Sequence, residues 1–278
     1  MSTSPMRPFL RWAGSKRKLL PRLAAYWQPS CVRYVEPFAG SACLFFRLQP
    51  KRAVLADINP ELIATYREVR QNVDAVINAL ATMQSGREEY LRLRSLDPTS
   101  VTPCMRAARF IFLNRFCFNG LYRTNLAGRF NVPYGGERTG TLPSPTALRS
   151  CSRQLQEVAL VRADFGVVLK HARKGDFVYM DPPFVIKSKR IFNEYDPRPF
   201  TTADVERLRS WMELLDRKGI PFLVSYAACD ESNILQEGFH RETVIVRRNI
   251  AGFAGMRSLA NEVLISNVER CPQEVRDV

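Results

Sequence analysis

Arg33-Tyr34-Val35-Glu36-Pro37-Phe38-Ala39-Gly40-Ser41-Ala42 decides the fold. Arg33 to Pro37 reads as a strand, Phe38 to Ser41 as a turn of mostly small residues, and the continuation through Phe46 as a helix. Arg52 to Ala56 is a second strand closed by Asp57, and a helical stretch runs on from Pro60 to Met83. Strand, tight turn, helix, strand, acid is the order of nucleotide-binding α/β folds. Further along, Val158 to Arg162 is a strand followed by Asp164, and Phe177 to Met180 is a short apolar strand that ends in Asp181-Pro182-Pro183-Phe184. Thr201 or Thr202 caps a helix to Arg217, with acids in its first turns. Pro221 to Tyr226 is a strand, and Thr243 to Arg247 with Asn261 to Asn267 closes the sheet as an antiparallel pair.

Between these two α/β parts the rhythm changes. Gly86 to Ser152 is first helical and basic, then loop-like; Pro103 to Phe116 reads as a helix with proline at its start. Phe118 to Tyr134 carries Gly120, Gly128 and Pro133 among aromatics and arginines, and Gly135-Gly136 with Pro143 and Pro145 marks more loop. Gly86 to Arg138 holds nine arginines against four acids, as a segment facing an anionic partner would. The expected organisation is therefore a core built from 1–74 and 156–278, with 75–155 inserted.

The composition agrees. The 278 residues suffice for one α/β domain with an insertion, and a 46% hydrophobic fraction provides a buried core. The net charge is +14, and all but eight of the 41 basic residues are arginines, whose forks suit phosphates and guanine edges. Nucleic acid is thus the expected partner, although charge alone also allows a merely arginine-rich protein. Seven scattered cysteines without a CxxC pair, and two histidines, His171 and His240, argue against a disulfide framework or a structural metal. Reduced thiols suit a cytoplasmic protein. Met1 to Leu10 has no apolar run of the kind a signal peptide needs, and no stretch has the length of a membrane span.

Asp181-Pro182-Pro183-Phe184 stands where an open α/β sheet places its ligands, at the carboxyl end of a strand. It suits methyl transfer to an exocyclic base amine. Such a nitrogen is a poor nucleophile because its lone pair is delocalised into the ring, and two acceptors gripping its N–H groups free that pair. The Asp181 carboxylate can be one acceptor and the Pro182 carbonyl the other; prolines supply carbonyls without competing N–H groups. Phe184 offers a face on which an extruded base can stack. Taken alone, a strand followed by a Pro-Pro turn is common. Three companions strengthen it. The turn after Glu36 lets a ligand approach the backbone. Asp57 can accept the two hydroxyls of a ribose, or cap the helix ahead of Asn59-Pro60. In Arg11-Trp12-Ala13-Gly14-Ser15-Lys16, Gly14 permits a tight turn, Trp12 can pack on a ligand ring and Lys16 can meet a carboxylate; a basic loop or helix start is the other reading.

Together these residues resemble the deoxyadenosine methylase (Dam) family of D12-class DNA adenine-N6 methyltransferases. The resemblance runs from about Pro8 to Asn267 through Phe9 to Lys16, Val35 to Gly40, Leu55 to Asn59, Leu113-Asn114-Arg115, Phe118 to Arg123, Asn125-Leu126, Gly128, Phe130 to Gly135, Asp181 to Phe184 and Val246-Arg247-Arg248. It implies a seven-stranded, doubly wound, Rossmann-like methyltransferase core with an inserted, mainly helical target-recognition domain. It also implies S-adenosyl-L-methionine as donor, held at Trp12, Lys16, Asp57 and Asp181 with Ala13, Gly14 and Ile58 beside them. Phe38, Ala39, Gly40 and Ser41 would line the donor's methionine side, and Asp164 and Phe165 its adenine side. Arg11, Phe118, Asn119, Leu121, Arg123, Asn125 and Pro133 fall where the family reads double-stranded DNA, Arg123 reading a guanine, and Arg138 suits a phosphate. The expected enzyme is a cytoplasmic monomer, bacterial or phage-encoded, without metal or membrane attachment. It flips its adenine out of the duplex, at a cost of roughly a few kcal/mol, at GATC or a related site.

The chain departs from the family at several positions. Phe184 stands where Tyr is common, Ala42 where the glycine-rich turn often has another Gly, and Ala127 where the best-known members carry Arg. Val185 to Asp196, with Lys187, Lys189 and Arg190, reads as a DNA-facing loop. Cytosine C5 methylation would need a nucleophilic cysteine, and Pro103-Cys104, at a helix start in the insertion, reads as packing. A non-catalytic DNA-binding module would leave Lys16, Asp57 and Asp181 without a purpose. Cytosine N4 or RNA adenine as substrate shares the chemistry at Asp181, and only the family pattern favours adenine in DNA.

Overall fold

The computed structural model describes residues 6–125, 128–136, 139–185, 200–249 and 257–271. Seven strands form one sheet: β1 (Arg33–Glu36), β2 (Ala53–Asp57), β3 (Val158–Arg162), β4 (Asp176–Met180), β5 (Phe222–Ala227), β6 (His240–Asn249) and β7 (Arg257–Ser266), in the order β3-β2-β1-β4-β5-β7-β6. β1 to β5 are parallel, while β7 is antiparallel to both β5 and β6. This is the expected doubly wound α/β sheet. Its strand order reverses between β1 and β4, where the turn after Glu36 and the Asp181 tetrapeptide meet at one edge.

The inner strands are apolar on both faces because both are covered. Along β4, Phe177 and Tyr179 point to one core, and Val178 and Met180 to the other. The first core lies under α1 (Leu20–Ala24), α2 (Cys43–Leu48), α3 (Pro60–Gln71), α4 (Val73–Ala81), α5 (Arg87–Ser95), α6 (Pro103–Phe116) and α7 (Pro145–Gln154); the second lies under α8 (Phe165–Lys170), α9 (Thr202–Arg217) and α10 (Asp230–Gln236). At the far edge of the sheet, Arg33 clasps the buried Asp176 through two 2.7 Å hydrogen bonds. Among the described residues no helix is long and apolar enough to cross a membrane.

The segment between β2 and β3 is helical, as expected, but Pro60 to Met83 is two helices. Asn72 leaves the helical region (φ −133°, ψ 40°) and its side chain donates to Glu68 Oε2. A short polar side chain that competes for local hydrogen bonds ends one helix and starts the next. α6 begins on a Thr102 cap with proline in its first turn. Its buried Arg109 donates to the carbonyls of Leu93 and Arg94, closing the end of α5. Thr201 and Asp204 cap α9 reciprocally. The closing antiparallel pair is longer than expected, with register from His240↔Ser266 to Asn249↔Arg257. α10, which the sequence reading omitted, returns the chain from β5 to β6.

Candidate active site

Alternation along the strands puts polar side chains on one face of the sheet at the carboxyl edge of its parallel strands. Asp181 continues the Phe177–Tyr179 side of β4, Glu36 the Tyr34 side of β1, and Ser225 the Leu223 side of β5. β7 runs the other way, so Glu262, opposite Ala227, arrives at the same edge. The loop of residues 11–16 crosses above them, anchored by the buried Phe9 and Leu10.

Lys16 is the centre of this layer. Its side chain is 3% exposed, and its Nζ lies 3.0 Å from Asp181 Oδ1, 3.6 Å from Glu262 Oε2 and 3.0 Å from the Gly14 carbonyl, to which it donates. Two protein carboxylates are thus its partners, since a buried ammonium demands anions. Asp181 Oδ1 also accepts from Ser225 Oγ at 2.9 Å, and that hydroxyl lies 2.9 Å from the hydroxyl of Tyr179. Burial raises the Asp181 pKa above the ordinary carboxylate range; Lys16 and the Ser225 hydroxyl work against the rise, and Glu262 adds to it. Burial likewise holds Glu36 well above its usual range, with Asp181 and Asp57 adding to the effect, which favours its neutral form.

Pro182 is buried, while Pro183 is exposed and Phe184 half-buried. The Phe184 ring meets Tyr226 edge-on at 5.3 Å and lies 5.6 Å from the Lys16 ammonium. Asp57, at the end of β2, accepts from the Gly40 N–H at 3.1 Å and the Asn59 N–H at 2.9 Å. The cap of α3 is Asn59, not Asp57, so the capping alternative for Asp57 falls away. Trp12 packs over the turn: a Cβ on Gly40 would sit 2.8 Å from its Cδ1, and its ring stacks on Tyr122 at 6.1 Å. Ala13 and Ile58 are part-buried beside this turn, and Ala39 and Ser41 are buried within it. Farther along the edge, the Phe38 and Phe165 rings approach to 5.2 Å. Asp164 caps α8 through the Gly166 N–H and pairs with Arg207 at 2.6 Å.

The residues expected to read DNA gather at the C-terminal end of α6. Arg11 and Asn114 exchange hydrogen bonds, Arg11 N–H to Asn114 Oδ1 at 2.8 Å and Asn114 Nδ2 to the Arg11 carbonyl at 2.6 Å. The Arg11 guanidinium also donates to the Arg115 carbonyl. A one-turn helix, Phe118–Gly120, follows, with Asn119 exposed and left-handed (φ 54°) and Gly120 against the Arg11 side chain. The next stretch folds back on itself through Cys117↔Tyr134 and Thr124↔Phe130 bridges. Phe118 N–H donates to the carbonyl of the exposed Pro133. Arg123 Nε donates to Asn131 Oδ1, and the Asn125 side chain accepts from the Arg129 N–H. Leu121 packs on the first core. Arg138, residues 126 and 127, and the tract 186–196 lie outside the described residues.

Sequence reasoning did not single out Ser225, Tyr179 or Glu262. A serine inside the apolar run Phe222 to Tyr226 was the available signal; Glu262, at the start of a closing strand, carried none.

A family model, D12 class N6 adenine-specific DNA methyltransferase, matches residues 12–250. The chain is 33% identical over 271 residues to a type II methyltransferase of Lactococcus lactis subsp. cremoris, covering 94% of this chain and 95% of that one. It is 32% identical over 268 residues to a type II methyltransferase of Methanocaldococcus jannaschii, covering 88% and 93%. It is 31% identical over 266 residues to the DNA adenine methylase of Escherichia coli strain K12, covering 93% and 94%.

Proposed function

The chain belongs to the D12 class of N6 adenine-specific DNA methyltransferases, and on that premise we propose that Asp181 and the Pro182 carbonyl grip the N6 amine of an adenine flipped out of duplex DNA, at GATC or a close relative. One observation carries this reading. The Asp181 carboxylate is fixed at the end of β4, with Lys16 and Ser225 both on Oδ1, which leaves Oδ2 for an incoming N–H. Phe184 supplies the stacking face.

S-adenosyl-L-methionine, when bound, supplies a methyl group on a sulfonium. The residues present fit it. Asp57 offers a carboxylate to a ribose, and the turn at Gly40 is tight against Trp12, whose ring can pack on the donor. Trp12, Ala13, Gly14, Lys16, Phe38 to Ser41, Asp57, Ile58, Asp164 and Phe165 would hold the donor. Arg11, Phe118, Asn119, Leu121, Arg123, Asn125, Pro133 and Arg138 would hold the DNA, the whole acting as a monomer with 75–155 as its recognition unit. Positioning and electrostatics carry the transfer.

The test uses labelled donor and duplex oligonucleotides. Adenine N6 methylation in DNA, mapped on a randomised duplex to GATC, is expected from the wild type. Asp181→Ala should retain DNA affinity and lose transfer. Product found only at cytosine or only in RNA would overturn the reading.

A further inference from the structure

We propose that Glu262 is a positioning residue of the transfer reaction: from β7 it draws the Lys16 ammonium toward itself and so leaves the Asp181 carboxylate able to take the target amine. The inference rests on the reading of Asp181 as the amine's acceptor.

A lysine paired with Asp181 alone would form a closed, neutral, buried couple, and the neutralised carboxylate would be a weaker acceptor for an amine arriving at Oδ2. Glu262 changes the balance. Its side chain is 6% exposed and lies 3.6 Å from the same Nζ that stands 3.0 Å from Asp181. Burying a second carboxylate costs several kcal/mol unless it is paired. Shared between two carboxylates, the ammonium can lean to Glu262 while Asp181 binds the amine.

Among the described residues, other groups face Asp181 from several elements. Lys16 comes from the 11–16 loop, Glu36 from β1, Tyr179 from β4 and Ser225 from β5. Cys43 stands at the start of α2, its thiol pushed up to about 12 chiefly by burial and hence neutral. Of these, Lys16 and Ser225 lower the proton affinity of Asp181, and Glu262 raises it. Removing the Glu262 charge therefore has a defined sign: Asp181 titrates at lower pH, and Lys16 settles wholly on it.

The experiment compares wild type with Glu262→Gln, which keeps the shape, and Glu262→Asp, which keeps the charge but withdraws it by one methylene. The kcat should fall in the order wild type, Glu262→Asp, Glu262→Gln, the last by about tenfold, the equivalent of one pKa unit of altered interaction. The donor KM should not rise, and the acid limb of kcat/KM should move to lower pH in Glu262→Gln while remaining near wild type in Glu262→Asp. A loss confined to thermal stability or to donor KM, or an unchanged kcat with an unmoved acid limb, overturns the proposal. Asp181→Asn, run in parallel, separates the two readings: if it still transfers methyl, the assignment of Asp181 fails whatever Glu262 does.

Discussion

Gly40 is glycine for two independent reasons. Its backbone is left-handed (φ +46°), and Trp12 occupies the space where a side chain would begin. Gly40→Ala should therefore cost about 1–3 kcal/mol of stability and weaken donor binding, read by thermal unfolding and donor titration; a variant unchanged in both would show that the close approach is dispensable. Two positions away, Ala42 adopts the left-handed conformation (φ 49°, ψ 41°) usually left to glycine, so the turn survives the departure from the family's glycine. Asp57 and Asp181 could be placed at strand ends from sequence because each closes an apolar run, while Lys16 stood out only as the cation that follows a glycine turn. Glu262 could not: in Asn261-Glu262-Val263-Leu264 the alternation reads as an amphipathic strand, and only the antiparallel pairing with β5 turns its acid inward.

Among the elements, the 11–16 loop and α6 matter most jointly. The reciprocal Arg11–Asn114 pair ties the candidate DNA-reading end of α6 to the loop that carries Trp12 and Lys16. Duplex DNA should then tighten donor binding about fivefold or more, the low end of ordinary coupling between sites. In Asn114→Ala, whose substitution leaves two part-buried backbone groups of Arg11 to find new partners, that tightening should shrink toward none. Donor titrations with and without the duplex measure it; equal enhancement in variant and wild type would disprove the link. Sequence signals fared unevenly for elements. β4 was legible because its apolar run is bounded by turn residues. The break at Asn72 was not, since helical periodicity continues across it and only the backbone shows the interruption. α10 had a usable sign in Asp230 and Glu231 in its first turn, obscured by its seven-residue length.

For the molecule as a whole, the net charge of +14 makes DNA affinity a matter of released counterions. Affinity for a short duplex should drop on the order of a hundredfold to a thousandfold between about 50 and 200 mM salt, as fluorescence anisotropy would report; a flat dependence would remove phosphate contacts from the account. The fold class was legible because the two α/β stretches on either side of the basic segment keep one rhythm. The shared core was not, because helices α3 to α7 contribute to the same apolar cluster as the sheet, and no local pattern records which distant surfaces meet.

Lys16 and Glu262 lie 246 positions apart in the chain yet only 3.6 Å apart in space. A ribosome has therefore made nearly every strand before the charged layer can close. Until β7 emerges, Lys16 and Asp181 stand without their third member, so the charged layer is completed by the last strand of its own sheet to be synthesised.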